Sequence, residues 1–280
     1  MDNVVVCRQE GPVMWVSLNR PESHNAMNPG LIMELTAVFR SLSDQPDVRV
    51  VVLTGNGRSF CAGADLAFMR AAADYTFAEN VADGEAIFDL MTAVDTCPLP
   101  VVGRINGAAI GGGVGLVSCC DIVVAVERAK FAFSETRLGI VPAVISPFVL
   151  AKIGVNNGRE LFLTGERFSA ERARQMGLVQ HVVAEDELDT AVAERIASLL
   201  QAAPGAQAAA KELIRAAAYQ PQAVMRVYTA RLIAERRASD EGREGMSSFL
   251  KKSAAVAGKS KRRDWRLEIA ASSLYNHWNQ

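Results

Sequence analysis

The chain has 280 residues, and its 30 Lys and Arg against 31 Asp and Glu leave a formal net charge of −1. Half of the residues are apolar and 22% are charged, a composition that excludes a disordered chain. The balanced charge argues against a nucleic-acid partner, which would call for a basic excess. The length allows one large domain, or a main domain with a smaller appendage.

The five cysteines show neither the arrangement of a disulfide framework nor the spacing of a zinc site. The first residues lack the basic and apolar regions of a signal peptide. The longest uncharged run, Ile105–Cys120, is interrupted by glycines and is short for a membrane span. We therefore expect a cytoplasmic protein that has no metal site and no contact with a membrane.

The first two thirds of the chain alternate between strand and helix signals. Strands are predicted at Val4–Cys7, Met14–Leu18, Val48–Leu53, Pro100–Ile105, Asp121–Val126, Lys130–Phe133 and Leu178–Val183. Helices are predicted to begin at Asn28-Pro29, near Asp65, at Gly111, at Ser146 and at Ser169, with the last two ending at Gly154 and Gly177. The first two strands flank a Glu-Gly-Pro turn and predict a hairpin. This alternation predicts an α/β core.

Strand signals stop at about Asp186. Helices are predicted at Asp186–Ala202, Ala206–Ala217 and Val224–Arg237, with prolines at the breaks between them. We expect a core over residues 1–200 and a helical region over 201–280. Residues 254–280 contain a basic run at 259–263 that is either a solvated face or a contact to an anionic ligand. The stretch 266–280 is either a mobile tail or an addition to the natural sequence.

Two glycine-rich junctions, Arg58–Leu66 and Asn106–Leu116, each connect a predicted strand to a helix. Glycine inside a helix costs up to about 1 kcal/mol relative to alanine, so such a run usually serves a close approach or free N–H groups. The first turn of a helix supplies unpaired N–H donors, and two of them converging on one point would form an oxyanion hole. The alternative is that the glycines only let helices pack closely.

Glu135 follows a predicted strand, and strand ends in α/β folds face the ligand crevice. Apolar neighbours would raise the pKa of this carboxyl by desolvation, toward the range useful for proton transfer. The alternative is a surface glutamate paired with Arg137. Asp65 and Asp121 are interpreted as groups that cap backbone N–H donors.

Together these segments resemble the crotonase family, which contains the enoyl-CoA hydratases and isomerases. The resemblance is carried, in chain order, by Ser59–Leu66, Asn106–Gly113, Cys120–Ile122 and Phe133–Pro142, and it covers about Val4 to Leu250. It implies ββα units wound into a spiral, with a helical C-terminal region that forms homotrimers or hexamers. It also implies an acyl-CoA thioester substrate and no separate cofactor, since coenzyme A is part of that substrate.

The resemblance assigns roles by motif position. The backbone N–H groups of Ala64 and Gly112 would hold the thioester oxygen, and Glu135 would be the acid/base. Arg58 would meet the phosphates of coenzyme A, and Ala26 belongs to a segment that lines the path of its adenine and pantetheine. The remaining candidate substrate-binding residues are Ala62, Asp65, Leu66 and Gly115.

One departure from the family pattern concerns the chemistry directly. Hydratases with two glutamates carry one of them two residues after the Gly-Gly-Gly run, where this chain has Gly115. Glu135 alone could still hydrate a double bond by giving back the proton that it takes from water. A Δ3,Δ2-enoyl-CoA isomerase needs only one carboxylate, so the single glutamate favours that reaction on chemical grounds.

A finer resemblance points the other way. Gly111–Leu116 followed by Ile140–Pro147 is similar to the methylglutaconyl-CoA hydratases and their γ-carboxygeranoyl-CoA and isohexenylglutaconyl-CoA relatives, which implies leucine or terpene breakdown. Gly115 is expected to leave room for a branched acyl group, and Arg137 could bind a distal carboxylate. The first hypothesis is therefore a lyase that hydrates a branched enoyl-CoA. The alternatives are the isomerase and a non-catalytic acyl-CoA-binding protein.

Overall fold

The computed structural model describes residues 3–250. In chain order, the strands are β1 (Val5–Glu10), β2 (Val13–Leu18), β3 (Val50–Gly55), β4 (Val101–Ile105), β5 (Ala109–Ile110), β6 (Ile122–Val126), β7 (Lys130–Ala132), β8 (Arg167–Ser169) and β9 (His181–Val183). The helices are α1 (Pro29–Ser41), α2 (Leu66–Ala72), α3 (Phe77–Asp95), α4 (Gly112–Cys119), α5 (Ser146–Thr164), α6 (Ala170–Gln175), α7 (Leu188–Leu200), α8 (Pro204–Tyr219), α9 (Gln222–Ala238) and α10 (Asp240–Leu250).

The larger sheet has the strand order β1-β2-β3-β4-β6-β9. β1 and β2 form the predicted antiparallel hairpin, and every later neighbour in this sheet pairs in parallel. β2 and β3 are buried along their whole length, which explains their nearly continuous apolar sequences. The two central strands, β3 and β4, lead into the two glycine-rich junctions.

A smaller sheet has the order β5-β7-β8 and carries the candidate site. β5 pairs in parallel with β7, and β7 pairs antiparallel with β8. The side chains of Phe131, in β7, and Phe133, the residue directly after it, are both fully buried, as their common face on the predicted strand Lys130–Phe133 indicates. Phe133 packs edge-on against Phe162 with ring centroids 4.8 Å apart, and Phe168 packs against both Phe131 and Phe133. This aromatic cluster fixes the strand that leads to Glu135.

The helix predicted to start at Ser146 differs from the expectation in two ways. Ile145, not Ser146, occupies the N-cap position, and no side chain caps it. Gly154 breaks the helix as predicted, with φ 72° and ψ 165°, but a second helical stretch continues from there to Thr164. Ser169 caps α6 as expected, because its hydroxyl accepts a hydrogen bond from the N–H of Arg172.

The described chain forms two compact units. One contains the residues up to Cys97 and Val101–Arg195, and the other contains Pro98–Pro100 and the residues from Ile196 onward. The second unit holds α8, α9 and α10 and no strand within its described residues, in agreement with the helical region expected there. The basic run and the tail predicted at 254–280 lie outside the described residues. No helix within residues 3–250 has the length and apolarity that crossing a membrane requires.

Candidate active site

The first junction runs alongside the second because the two share backbone hydrogen bonds. Cys61 donates to the carbonyl of Ala108 at 3.1 Å, and Ile110 donates to the carbonyl of Cys61 at 2.9 Å. Gly63 has φ +88°, and a β-carbon there would lie 2.8 Å from the carbonyl oxygen of Ile110. Glycine is therefore required at position 63, where the two junctions touch.

Ala64 lies in an extended segment that pairs in parallel with Met27. Met27 donates to the carbonyl of Gly63 at 2.7 Å, and Asp65 donates to the carbonyl of Met27 at 2.9 Å. Successive peptide groups of an extended chain point to opposite sides. The N–H of Ala64 consequently points away from the segment that holds it.

Gly112 is the first residue of α4, and its N–H belongs to the unpaired first turn of that helix. The preceding Gly111 has φ +52°, and its carbonyl accepts from Val114 and Gly115. Among the residues that the structure describes, no acceptor is found for the N–H of Gly112 or of Ala64. Both donors remain available to a ligand, on two junctions that the structure brings side by side.

Glu135 lies in a short 3₁₀ helix, Ser134–Leu138, directly after β7. Its carboxyl group lies against Gly111, since a β-carbon on that glycine would be 3.0 Å from Oε1. Oε2 is buried and has no hydrogen-bond partner within residues 3–250. Burial raises the pKa of this carboxyl above its ordinary value, and a hydrogen bond from its own backbone N–H offsets part of that rise.

Arg137 does not pair with Glu135. Its Nε donates to the carbonyl oxygen of Thr164 at 3.0 Å, and its side chain is exposed. The alternative of a surface ion pair is therefore wrong, and the Glu135 carboxyl is left without a counter-charge from this arginine. A buried carboxyl with an unpaired oxygen is unusual unless a ligand completes it.

The space beside Gly115 is filled, contrary to the expectation of room for a branched acyl group. A β-carbon at position 115 would lie 2.5 Å from Cγ2 of Ile145 and 3.1 Å from the methyl carbon of Met91. Both side chains are buried. The expectation failed because Ile145 lies thirty residues along the chain from the glycine whose side it covers. The same contacts leave no space for a second glutamate at this position.

Asp65 is committed to contacts within the protein. Its Oδ1 caps α2 by accepting from Ala67 and Phe68, and its Oδ2 binds Arg20 at 2.8 Å. Burial alone would raise the pKa of this carboxyl, but the hydrogen bonds from Arg20 and from the helix N–H groups lower it overall. The interpretation as a capping group is confirmed, and the side chain of Asp65 is not available to a substrate.

The other candidate substrate-binding residues lie around the first junction. Ala26 is buried and its carbonyl accepts from Arg20. Ala62 donates its N–H to the carbonyl of His24 at 3.0 Å. The side chains of Arg58 and Leu66 are exposed to solvent.

Sequence reasoning missed Arg20, and it placed Met27 only in the segment that would line the path of adenine and pantetheine, whereas both residues hold the first junction in place. Arg20 donates to Ala26 and pairs with Asp65, and both partners of that ion pair are largely buried. An arginine just after the apolar run of β2 was the available signal. Nothing in the local sequence marks Met27 for this role, because it contacts glycines that follow it by 36 and 85 residues.

No group of three or more potential metal ligands occurs within residues 3–250.

Comparison with known proteins identifies the architecture. The chain is 38% identical to the enoyl-CoA hydratase AKT6-1 of Alternaria alternata over 211 residues, which are 75% of this chain and 68% of that protein. The crystal structure of an enoyl-CoA hydratase from Shewanella pealeana matches with a TM-score of 0.86 at 35% identity, over 90% of this chain and 95% of that one. Pseudomonas aeruginosa AtuE matches with a TM-score of 0.87 at 35% identity, over 91% and 99%.

The two sheets and the helical C-terminal region have the crotonase fold, as the sequence resemblance implied. The family model described as enoyl-CoA hydratase/isomerase matches residues 8–258. The chain therefore belongs to the enoyl-CoA hydratase/isomerase family.

Proposed function

We propose that the protein hydrates the C2–C3 double bond of an enoyl-CoA thioester, with Glu135 as its one carboxyl acid/base. The N–H groups of Ala64 and Gly112 form the oxyanion hole. The observation that carries this proposal is the buried, unpaired Oε2 of Glu135, on a carboxyl group that lies against Gly111, the residue before Gly112. An acid/base and one main-chain donor thus lie at the start of α4, beside the junction that carries the other donor.

The reaction follows from this arrangement. Ionised Glu135 takes a proton from water, and the oxygen of that water bonds to C3 of the enoyl group. The electron pair of the double bond moves toward the thioester, whose oxygen gains negative charge between the two N–H donors. Glu135 then returns the proton to C2, the thioester carbonyl re-forms, and the product is the 3-hydroxyacyl thioester. One carboxyl group with a raised pKa suffices, because it is regenerated in each cycle.

The acyl group that we propose is branched and carries a distal carboxylate, like 3-methylglutaconyl. Support comes from the similarity of Gly111–Leu116 and Ile140–Pro147 to the methylglutaconyl-CoA hydratases. The filled space beside Gly115 means that the branch has to lie elsewhere in the site. Arg137, exposed and two residues from Glu135, is the cation that we propose for the distal carboxylate.

A second candidate is the Δ3,Δ2-enoyl-CoA isomerase. The observation that favours it is the packing of Ile145 and Met91 against Gly115, which removes the position of a second carboxyl group. Moving one proton between C4 and C2 requires a single acid/base, and Glu135 supplies it. The two reactions share the oxyanion hole and differ in whether water is a reactant.

Replacing Glu135 by glutamine tests the proposal. Purified wild type, Glu135→Gln and the control Glu127→Gln are given crotonyl-CoA or 3-methylglutaconyl-CoA, and loss of the enoyl-thioester absorbance is followed. We expect the wild type and the exposed-site control to hydrate at equal rates. We expect Glu135→Gln to lose at least about 100-fold in kcat, since the glutamine amide cannot take a proton from water and return it to C2.

Other outcomes separate the alternatives. A wild type that leaves both 2-enoyl esters unchanged but converts a 3-enoyl-CoA into the conjugated ester is the isomerase. A wild type that binds crotonyl-CoA in a calorimeter and turns over none of these esters is a binding protein. A Glu135→Gln variant that hydrates at the wild-type rate would contradict the assignment of the acid/base.

A further inference from the structure

Met27 contacts both halves of the proposed oxyanion hole. Its backbone is hydrogen-bonded to the residues on either side of Ala64, at 2.7 Å to Gly63 and at 2.9 Å from Asp65. Its side chain reaches the other half, because its methyl carbon lies only 2.0 Å from the point where a β-carbon of Gly112 would be. The side chain is 3% exposed. One residue thus links the two segments whose N–H groups hold the thioester oxygen.

We propose that Met27 is a positioning residue that sets the separation of the Ala64 and Gly112 N–H groups. This inference rests on the proposed function, because it concerns the oxyanion hole of that reaction. The backbone of Met27 fixes Ala64 through two hydrogen bonds. Its thioether fills the space between the Gly63–Asp65 segment and Gly112, the first residue of α4.

The packing around Gly112 assigns this positioning role to Met27 rather than to another side chain. Apart from the chain neighbours and the backbone of α4, the described atoms within 4 Å of the β-carbon position at Gly112 belong to Met27 alone, its methyl carbon and its sulfur. Shortening this side chain would leave the N-terminus of α4 without a neighbour on that side. The helix could then settle toward the gap, or water could enter beside the N–H of Gly112.

The consequence for the rate follows from the geometry of oxyanion stabilisation. Two N–H donors act together only while both lie about 2.7–3.1 Å from the developing oxyanion. A displacement of about 1 Å at a reacting centre costs on the order of 100-fold in rate. Movement of Gly112 relative to Ala64 would weaken binding of the transition state more than binding of the ground-state ester.

The test compares three variants at this position with a matched control. Met27→Ala removes the thioether, Met27→Val keeps bulk near the backbone but cannot reach Gly112, and Met27→Leu restores most of the reach. Met14→Ala makes the same truncation at another buried methionine, in β2. We expect Met27→Ala and Met27→Val to lose at least about 10-fold in kcat for crotonyl-CoA, with KM within about 2-fold of wild type.

We expect Met27→Leu to recover most of the lost rate, and Met14→Ala to keep the wild-type kcat even where its melting temperature falls. Wild-type kcat in Met27→Val, or a loss in Met14→Ala as large as in Met27→Ala, overturns the proposal. Should Met27→Ala aggregate, Met27→Val decides the question, since it retains most of the buried apolar volume.

A spectroscopic measurement separates this inference from the proposed reaction. Crotonyl-CoA bound to Glu135→Gln shows the carbonyl stretching band of the thioester, which two good hydrogen bonds shift to lower frequency. We expect a smaller shift when Met27→Ala is added to Glu135→Gln. If the wild type hydrates no ester and the shift still depends on Met27, the oxyanion hole stands and the proposed reaction fails. An unchanged shift contradicts the role of Met27.

Discussion

The residue that most constrains the chemistry is Gly115, because its neighbours determine whether a second carboxyl group can exist. Gly115→Glu is expected to destabilise the fold by about 1–3 kcal/mol rather than to add an acid/base, since the new side chain has to displace Ile145 and Met91. Urea unfolding and the hydration rate are measured together. Gly84→Glu is the control, because a β-carbon there meets only Val144, at an ordinary 3.8 Å.

Adding Ile145→Ala to Gly115→Glu is expected to recover part of the lost stability, because it removes the side chain that lies closest to the new one. A Gly115→Glu variant with wild-type stability and a faster hydration rate would show that the position is open after all.

Helix α2 is the element whose start fixes the first junction, and its cap links stability to pH. The ion pair Arg20–Asp65 is largely buried, with side-chain exposures of 17% and 12%, whereas Arg40–Asp89 has the same length of 2.8 Å but exposures of 61% and 60%. The pKa of Asp65 is lowered in the folded protein. Its ionised form therefore stabilises the fold at pH values above the ordinary carboxyl range, about 3.9, and this contribution is lost as the pH falls through the lowered pKa.

We expect Asp65→Asn to lose stability at pH 7, because Arg20 keeps its buried charge without a partner. Between pH 7 and about pH 3, the free energy of unfolding should fall less for Asp65→Asn than for wild type, since the variant has no carboxyl to protonate there. Asp89→Asn should follow the wild-type curve, because an exposed ion pair contributes little. Urea titrations at several pH values measure all three proteins, and parallel curves for wild type and Asp65→Asn would contradict the linkage.

The same elements show what the sequence could predict. Patterns that extend over many residues gave correct predictions. The hairpin, the apolar strand β3 and the helices that follow the two glycine-rich junctions all lie where expected. β5 and β8 have two and three residues, too few for a periodicity, and both pair with β7, which lies between them in the smaller sheet. The environment of Gly115 was predicted wrongly because it is made by Ile145 and Met91, which no local pattern connects to it. Contacts at long sequence separation were the part that the pattern could not supply.

At the scale of the whole molecule, the helical C-terminal unit presents apolar side chains to solvent. Within α8, α9 and α10 no described residue is buried. The exposed apolar side chains there are Ile214, Tyr219, Val224, Val227, Ile233, Met246, Phe249 and Leu250. A monomeric protein seldom exposes so many apolar side chains on one group of helices, so we propose that this unit binds further copies of the chain in a homotrimer or hexamer.

Charge placed on this surface should oppose assembly without unfolding the chain. Ile214 is 68% exposed, so Ile214→Lys removes little packing within one chain but buries an ammonium group in any interface that covers this face of α8. We expect the wild type to sediment at three or six times 30.1 kDa and Ile214→Lys to shift toward smaller species. Glu212→Lys places a lysine at an exposed position on the opposite face of α8, because residues two apart on a helix point to opposite sides, and it tells a local interface from a general charge effect. A wild type that sediments at 30.1 kDa, or an Ile214→Lys variant that assembles like the wild type, would mean that these apolar side chains serve another purpose.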